Sequence, residues 1–193
     1  MKPDFESAQK YVLFCLESQL SPNLFYHNLG HTVDDVLPAA TRLGRLAGIP
    51  EDELLLLQTA ALFHDIGFIE RYDDHEASSV KIATAQLPRF GYTTSQIEKI
   101  TQLIAVTKLV EMPKNLLEEL IRDADLDVLG RDDFLVRSYH LWEEENIYKT
   151  PVSKQEWHTR QIHFLESHSY FTAVAQALRN EGKRQNIEDL KRR

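Results

Sequence analysis

Cysteine is nearly missing from this chain. Cys15 stands alone, so no internal disulfide can staple the fold, and a reducing, cytoplasmic setting is the simplest expectation. Between Phe14 and Leu16 it reads as buried filler rather than as a nucleophile. Glycine and proline are scarce, seven each, which leaves few places to break a helix. No stretch reaches the roughly 18 apolar residues that a membrane helix requires. Residues 1–20 carry Asp4, Glu6, Lys10 and Glu17, so no apolar run follows a basic start and a signal peptide is not expected. An excess of positive charge is absent too. The formal net charge is -8, which disfavours duplex nucleic acid and anionic membranes as partners and leaves space for a local basic pocket around a small phosphate.

What the chain does have is helical spacing almost everywhere. Its 193 residues, 42% apolar and 27% charged, suit one soluble domain over 1–193 with a core of its own. Phe5, Ala8, Val12, Cys15 and Leu16 form one stripe. Val33, Val36, Ala40, Leu43 and Ala47 form a second, ended by Gly48 and Pro50, with Pro38 marking a kink or a late start. Residues 51–66 are apolar nearly all round, the mark of a helix buried on most sides, and Gly67 is placed to stop it. A fourth helix over 74–87 closes at Pro88. Ile97, Ile100, Ile104 and Thr107 outline a fifth, and Leu117, Leu120, Ile121, Ala124 and Val128 a sixth, with Gly130 beyond. Three more are expected near 132–147, 153–167 and 169–181, before a charged end at 182–193 that is expected to fray. With no alternating strand pattern, repeat or linker, the expectation is an all-α fold of about eight or nine helices.

Four segments carry chemistry: YHNLGH at 26–31, HD at 64–65, DDHE at 73–76 and DADLD at 123–127. The HD pair ends the most apolar helix. An ionised Asp65 there costs several kcal/mol unless it is paired or binds a metal. From this helix alone, a metal site and an Asp–His pair closing the helix end stand level. Asp123, Asp125 and Asp127 fit positions one, three and five of a calcium loop, but Val128 and Phe134 occupy the positions that need Gly and Glu. On a helix, Asp125 follows Ile121 by four and precedes Val128 by three, at the edge of the apolar face, so it is the inward candidate. Asp123 falls on the polar face, as a partner or a solvated charge. His27 and His31 are four apart, as in zinc proteases, but Asn28 stands where that motif needs its base.

A histidine, an HD pair and a distant aspartate, here His31, His64–Asp65 and Asp125, is the ligand order of the HD superfamily of metal-dependent phosphohydrolases, and the chain is identified as a member. The resemblance covers residues 20–130 as the core, with additional C-terminal helices over 131–193 as in a bacterial branch of predicted HD phosphohydrolases. YHNLGHTVDDV at 26–36 resembles the opening of the cyclic-nucleotide phosphodiesterase core. HEASS at 75–79 and DADLDVLG at 123–130 resemble further HD hydrolase segments. Only His75 lies between the HD pair and the last aspartate, fewer histidines than two-metal members supply. The resemblance therefore implies one divalent ion, with a second left to Asp65, His75, Glu70 or water. It also sets aside an oxygenase. Thr107–Lys108 is followed by Leu109 and Val110 where that branch often has a histidine.

The resemblance implies hydrolysis of a phosphate mono- or diester of a nucleotide or similar small molecule, with a non-catalytic nucleotide-binding sensor as the alternative. Two imidazoles and two carboxylates suit Mn, Fe, Co, Ni, Zn or Mg without choosing among them. Asp65 is expected to orient the attacking water. His27 resembles the histidine that protonates the leaving alkoxide, against a helix-entry hydrogen bond. His75 is set to touch a phosphate oxygen, against pairing with Asp73 or Asp74. Lys108 is set to meet phosphate as a point charge, against snorkelling. Asp35, beside Asp34, is placed to support a ligand histidine from behind, as is Asp123. Arg137, Lys149, Arg160, Arg179 and Lys183 are candidates for gating a pocket, while His140, His158, His163 and His168 read as surface or structural. Apolar stripes serve a core or a homo-oligomer interface equally well.

Overall fold

The structure, a computed structural model, describes residues 3–192, so Met1, Lys2 and Arg193 of the charged ends lie outside the described residues. Among the described residues there are nine α-helices and no strand. These are α1 (Phe5–Gln19), α2 (Leu37–Leu46), α3 (Glu51–Phe63), α4 (His75–Gln86), α5 (Thr94–Ala105), α6 (Leu116–Asp125), α7 (Phe134–Tyr148), α8 (Lys154–Ser167) and α9 (Ala173–Lys191). The all-α expectation holds, and no described helix is long and apolar enough to cross a membrane.

The nearly all-apolar α3 is the hub. It packs against α1, α2, α5 and α6, and Leu57, Ala60, Ala61, Leu62 and Phe63 are fully buried. A Leu or Phe side chain so enclosed contributes about 1.5–3 kcal/mol, so the position of this helix is strongly determined. Its C-terminal end therefore delivers His64 and Asp65 to one point inside the bundle.

Pro38 produces neither a late start nor a simple kink. The helix is already running at Leu29 and continues as a π-helical stretch over His31–Val36 before α2. Leu37 N–H donates to Thr32 O, five residues back. Proline lacks the N–H for a normal turn and crowds the carbonyl four residues earlier; the wider turn accommodates it. Such π turns frequently occur at functional sites, and this one begins at His31.

Gly67 is not a left-handed stop for α3, since its φ is not positive. It permits close approach: a Cβ there would lie 1.9 Å from His75 O and 2.7 Å from Ser79 N. The start of α4 is thereby drawn against residues 66–69, and Gly67 N–H donates to Ser79 Oγ at 2.8 Å. The C-terminal helix runs past 181 to Lys191 instead of fraying. A Cβ on Gly182 would meet Gly130 O at 2.1 Å, so only glycine lets α9 lie on the turn at 127–130. The buried Asn186 then donates to Leu129 O at 3.0 Å and to Arg131 O at 2.9 Å.

Candidate metal centre

Three helix ends meet at the centre of the bundle. His31 comes from the π-helical stretch, His64 and Asp65 from the end of α3, and Asp125 from the end of α6. One donor atom each from His31, His64 and Asp65 lies within 4.8 Å of the others. Asp125 Oδ1 adds a fourth, 3.3 Å from His31 Nε2 and 3.5 Å from His64 Nε2. Asp65 Oδ2 lies 3.5 Å from His31 Nε2 and 3.1 Å from His64 Nε2.

These atoms are aimed at one another without satisfying one another. His31 Nε2, His64 Nε2 and Asp65 Oδ2 are sealed from solvent and have no hydrogen-bond partner, although buried polar atoms are almost always partnered. His64 Nδ1 faces Ala61 O at 2.8 Å, which assigns the proton to Nδ1 and leaves the Nε2 lone pair pointing inward. Donors held about 2.0–2.2 Å from one ion in a tetrahedral array stand about 3.4 Å apart, close to the spacings seen. Charge makes the same demand. Burial pushes the His64 imidazolium down, yet Asp65 and Asp125 outweigh it and its pKa is well raised. Burial pushes Asp65 up, yet His64 and His75 hold it well below the carboxylate range. Burial likewise raises Asp125, and His31 and His64 bring it down. The cluster requires positive charge at its centre, and a divalent cation fits the donor set, with the negative end of the α3 dipole alongside.

Above the cluster, His27, Phe68 and His75 are stacked. Phe68 lies between the two imidazoles, with ring centroids 4.6 Å from His27 and 3.8 Å from His75. His75 Nε2 is 3.3 Å from Asp65 Oδ1, the oxygen turned away from His64. Burial disfavours its charged form, but Asp65 more than offsets this and raises its pKa. It does not pair with Asp73 or Asp74; its Nδ1 faces Tyr72 O at 3.3 Å.

His27 is held by a residue that the sequence did not single out. Glu144 of α7 is fully buried, contacts His27 Nδ1 through Oε1, and through Oε2 accepts from Tyr26 N–H at 2.9 Å and His27 N–H at 3.0 Å. Burial pushes the Glu144 carboxyl up, but the contact with His27 outweighs it, so the acid is held below its usual range. The stripe of Phe134, Ser138 and Leu141 admits Glu144 and Glu145 alike, three and four residues on, and does not mark which of them turns inward.

The other expected residues divide. Asp35 Oδ2 lies 3.9 Å from His31 Nδ1, and Arg131 and Arg137 hold the carboxylate. Asp123 is not behind the site. It is buried, and accepts from Phe171 N–H and Thr172 N–H, both at 2.8 Å, and from Thr172 Oγ1 at 2.7 Å, so it anchors the entry to α9. Glu70 is exposed, paired with Lys81 at 3.1 Å, and is not among the residues that line the cavity. Lys108 meets Asp74 at 2.6 Å at the surface. Arg179 is occupied by Asp127 at 2.8 Å and Lys183 by His168 O. Arg137, Lys149 and Arg160 line a cavity of about 550 Å³ that Asp65, Asp125 and His27 also line.

Residues 27–127, more than half of the chain, match the HD domain family model, and the protein belongs to that family. Membership supports a metal-dependent hydrolase at the level of the superfamily. Among curated proteins none matches the chain. Two solved structures are similar. A predicted HD superfamily hydrolase from an uncultured Thermotogales bacterium has 18% identity and a TM-score of 0.68, covering 98% of this chain and 91% of that one. Bacillus subtilis YpgQ, solved in complex with ADP, has 20% identity and a TM-score of 0.67, covering 97% of this chain and 93% of that one. At such identities the likeness shows a shared fold.

Proposed function

We propose that the protein is a metal-dependent phosphohydrolase that cleaves a phosphate ester of a nucleotide or similar small molecule. The observation that carries this reading is the convergence of unpartnered donors on His31, His64 and Asp65, with Asp125 beside them, at a cavity that His27 also lines. In this reading residues 20–130 hold the ion and α7 and α8 close the cavity. His31, His64, Asp65 and Asp125 would bind one divalent ion, and the Oδ1 edge of Asp65 beside His75 offers a place for a second. A divalent ion bound there lowers the pKa of water and polarises a phosphoryl oxygen.

The chain's own residues supply the rest. Asp65 orients the attacking water and takes its proton. His27, held by Glu144, gives a proton to the leaving oxygen. His75 steadies a phosphoryl oxygen, and Lys108 and Arg137 exchange part of their pairing with Asp74 and Asp35 for the phosphate at the cavity wall. Asp35, 3.9 Å from His31 Nδ1 and not hydrogen-bonded to it, faces that ring as a charge. The ADP bound to Bacillus subtilis YpgQ supports an occupant of nucleotide size.

The test pairs wild type with Asp65→Ala. Wild type loaded with Mn, Co or Ni is expected to release phosphate from generic esters or a nucleotide panel, and the variant is expected to lose both ion and turnover. If the loaded wild type hydrolyses nothing, the hydrolase reading is wrong. If metal content is unchanged in the variant, the ligand assignment is wrong.

A further inference from the structure

One wall of the cavity comes from α8. Trp157, Arg160, Gln161 and Phe164 all line it, and steps of three and four put them on one helix face. Gln161 is the odd member. Only 8% of it is exposed, its amide makes no hydrogen bond to any described residue, and it is not among the sealed polar atoms. Two other polar groups that line the cavity are engaged: Ser138 Oγ accepts from Trp157 Nε1 at 3.0 Å and Thr107 Oγ1 donates to Ile104 O at 2.7 Å. The side chain is thus buried up to its amide, whose atoms stay open to the cavity and free to pair with a ligand.

We propose that Gln161 is a specificity-determining residue, whose amide pairs with a planar ring carrying a hydrogen-bond donor and acceptor side by side, as a nucleobase does. A glutamine amide offers one acceptor and two donors in a plane and matches such an edge with two bonds. Trp157 and Phe164, on the same helix face, supply apolar area and aromatic faces against which a planar ring can lie. Phe134 and Leu141 add apolar wall, which suits a flat heterocycle better than a polyol. A cavity of about 550 Å³ lies within the usual range for small-molecule sites, about 300–1,000 Å³. The proposal rests on the phosphohydrolase reading for the ester bond, but not for the recognition of the ring.

The experiment compares metal-loaded wild type, Gln161→Leu and Gln161→Glu. Its first readout is the ratio of kcat/KM for the best ribonucleotide to kcat/KM for phenyl phosphate. The expected result is a ratio lowered about 10- to 100-fold in the leucine variant, the loss produced by one unmade buried hydrogen bond or pair, with metal content retained. A ratio within about 2-fold of wild type, whether both activities persist or both fall, overturns the proposal. A second arm needs no variant and no turnover. By calorimetry, wild type is expected to bind a free nucleoside at least about 10-fold tighter than a phenyl C-riboside, which keeps ring and sugar but lacks the edge. Equal or absent binding overturns the proposal. Nucleoside binding without hydrolysis of any ester would sink the phosphohydrolase reading and leave this one standing.

Discussion

Glu144 and His27 are in direct contact although 117 positions separate them in the sequence. The same carboxylate also accepts both backbone N–H groups at the entry to the site, so one buried side chain sets both the position of residues 26–27 and the tilt of the imidazole. A neutral amide in its place keeps an acceptor for the backbone bonds and loses the carboxylate contact that orients the ring. Glu144→Gln is expected to lower kcat by about 10- to 100-fold, within the range of general acid catalysis, with KM and bound metal little changed. Steady-state kinetics with metal analysis decides; an unchanged kcat would make the contact structural only.

Metal removal should destabilise the fold. An ion that binds only the folded state at 100 times its Kd adds about 2.7 kcal/mol, which for a chain of this size is a Tm shift of about 5–10 °C. The shift should appear in thermal melts when Mn or Ni is added after chelation, and should largely disappear in His64→Ala. An equal shift in that variant would place the ion elsewhere.

Asp123 serves stability and not the ion. Asp123→Ala leaves Phe171 N–H, Thr172 N–H and the Thr172 hydroxyl without their acceptor, so a loss of about 2–4 kcal/mol is expected in urea unfolding. Bound metal should stay at the wild-type level. A variant that lost the ion but not stability would return Asp123 to the metal site.

The pH dependence of stability should carry a contribution from His168. Burial, with help from Lys183 and Arg122, pushes its pKa down to about 4. Unfolded, the same ring titrates near 6.5. Between these values the unfolded chain binds more protons, so this contribution is complete above about pH 6.5 and is lost as pH falls toward 4. Discounted for partial solvent screening, about 1 kcal/mol should be lost between pH 7 and pH 5. Denaturation midpoints at the two values, for wild type and His168→Asn, measure it; equal slopes would refute the assignment.

The helices were legible because apolar residues recur at helical spacing, and that spacing also picked Asp125 as the inward aspartate; the order His31, His64, Asp65 and Asp125 was legible through its resemblance to the HD superfamily. What was hidden depends on which surfaces later helices cover. Asp123 lies on a polar face of α6 that looked open to water, and the entry to α9 lands on it. Asp127 follows Asp123 by four, but α6 ends at Asp125 and the chain tightens into a 3-10 turn. The helical period therefore fails there, and Asp127 meets Arg42 and Arg179 instead. Glu144 is one of three consecutive glutamates, and nothing local marks which of them faces His27.

The π-helical stretch before α2 makes chain length, and not only residue identity, part of the site. It holds one residue more than an α-helix would use for the same path. Deleting one residue between Thr32 and Leu37 would remove that excess and let the segment close to a regular helix, with His31 kept near its present direction. Deleting a second would rotate everything before it by about 100° about the axis, and His31 would face away from His64 and Asp65 with every ligand still present in the sequence. A catalogue of substitutions would miss that difference, whereas paired one- and two-residue deletions would find it.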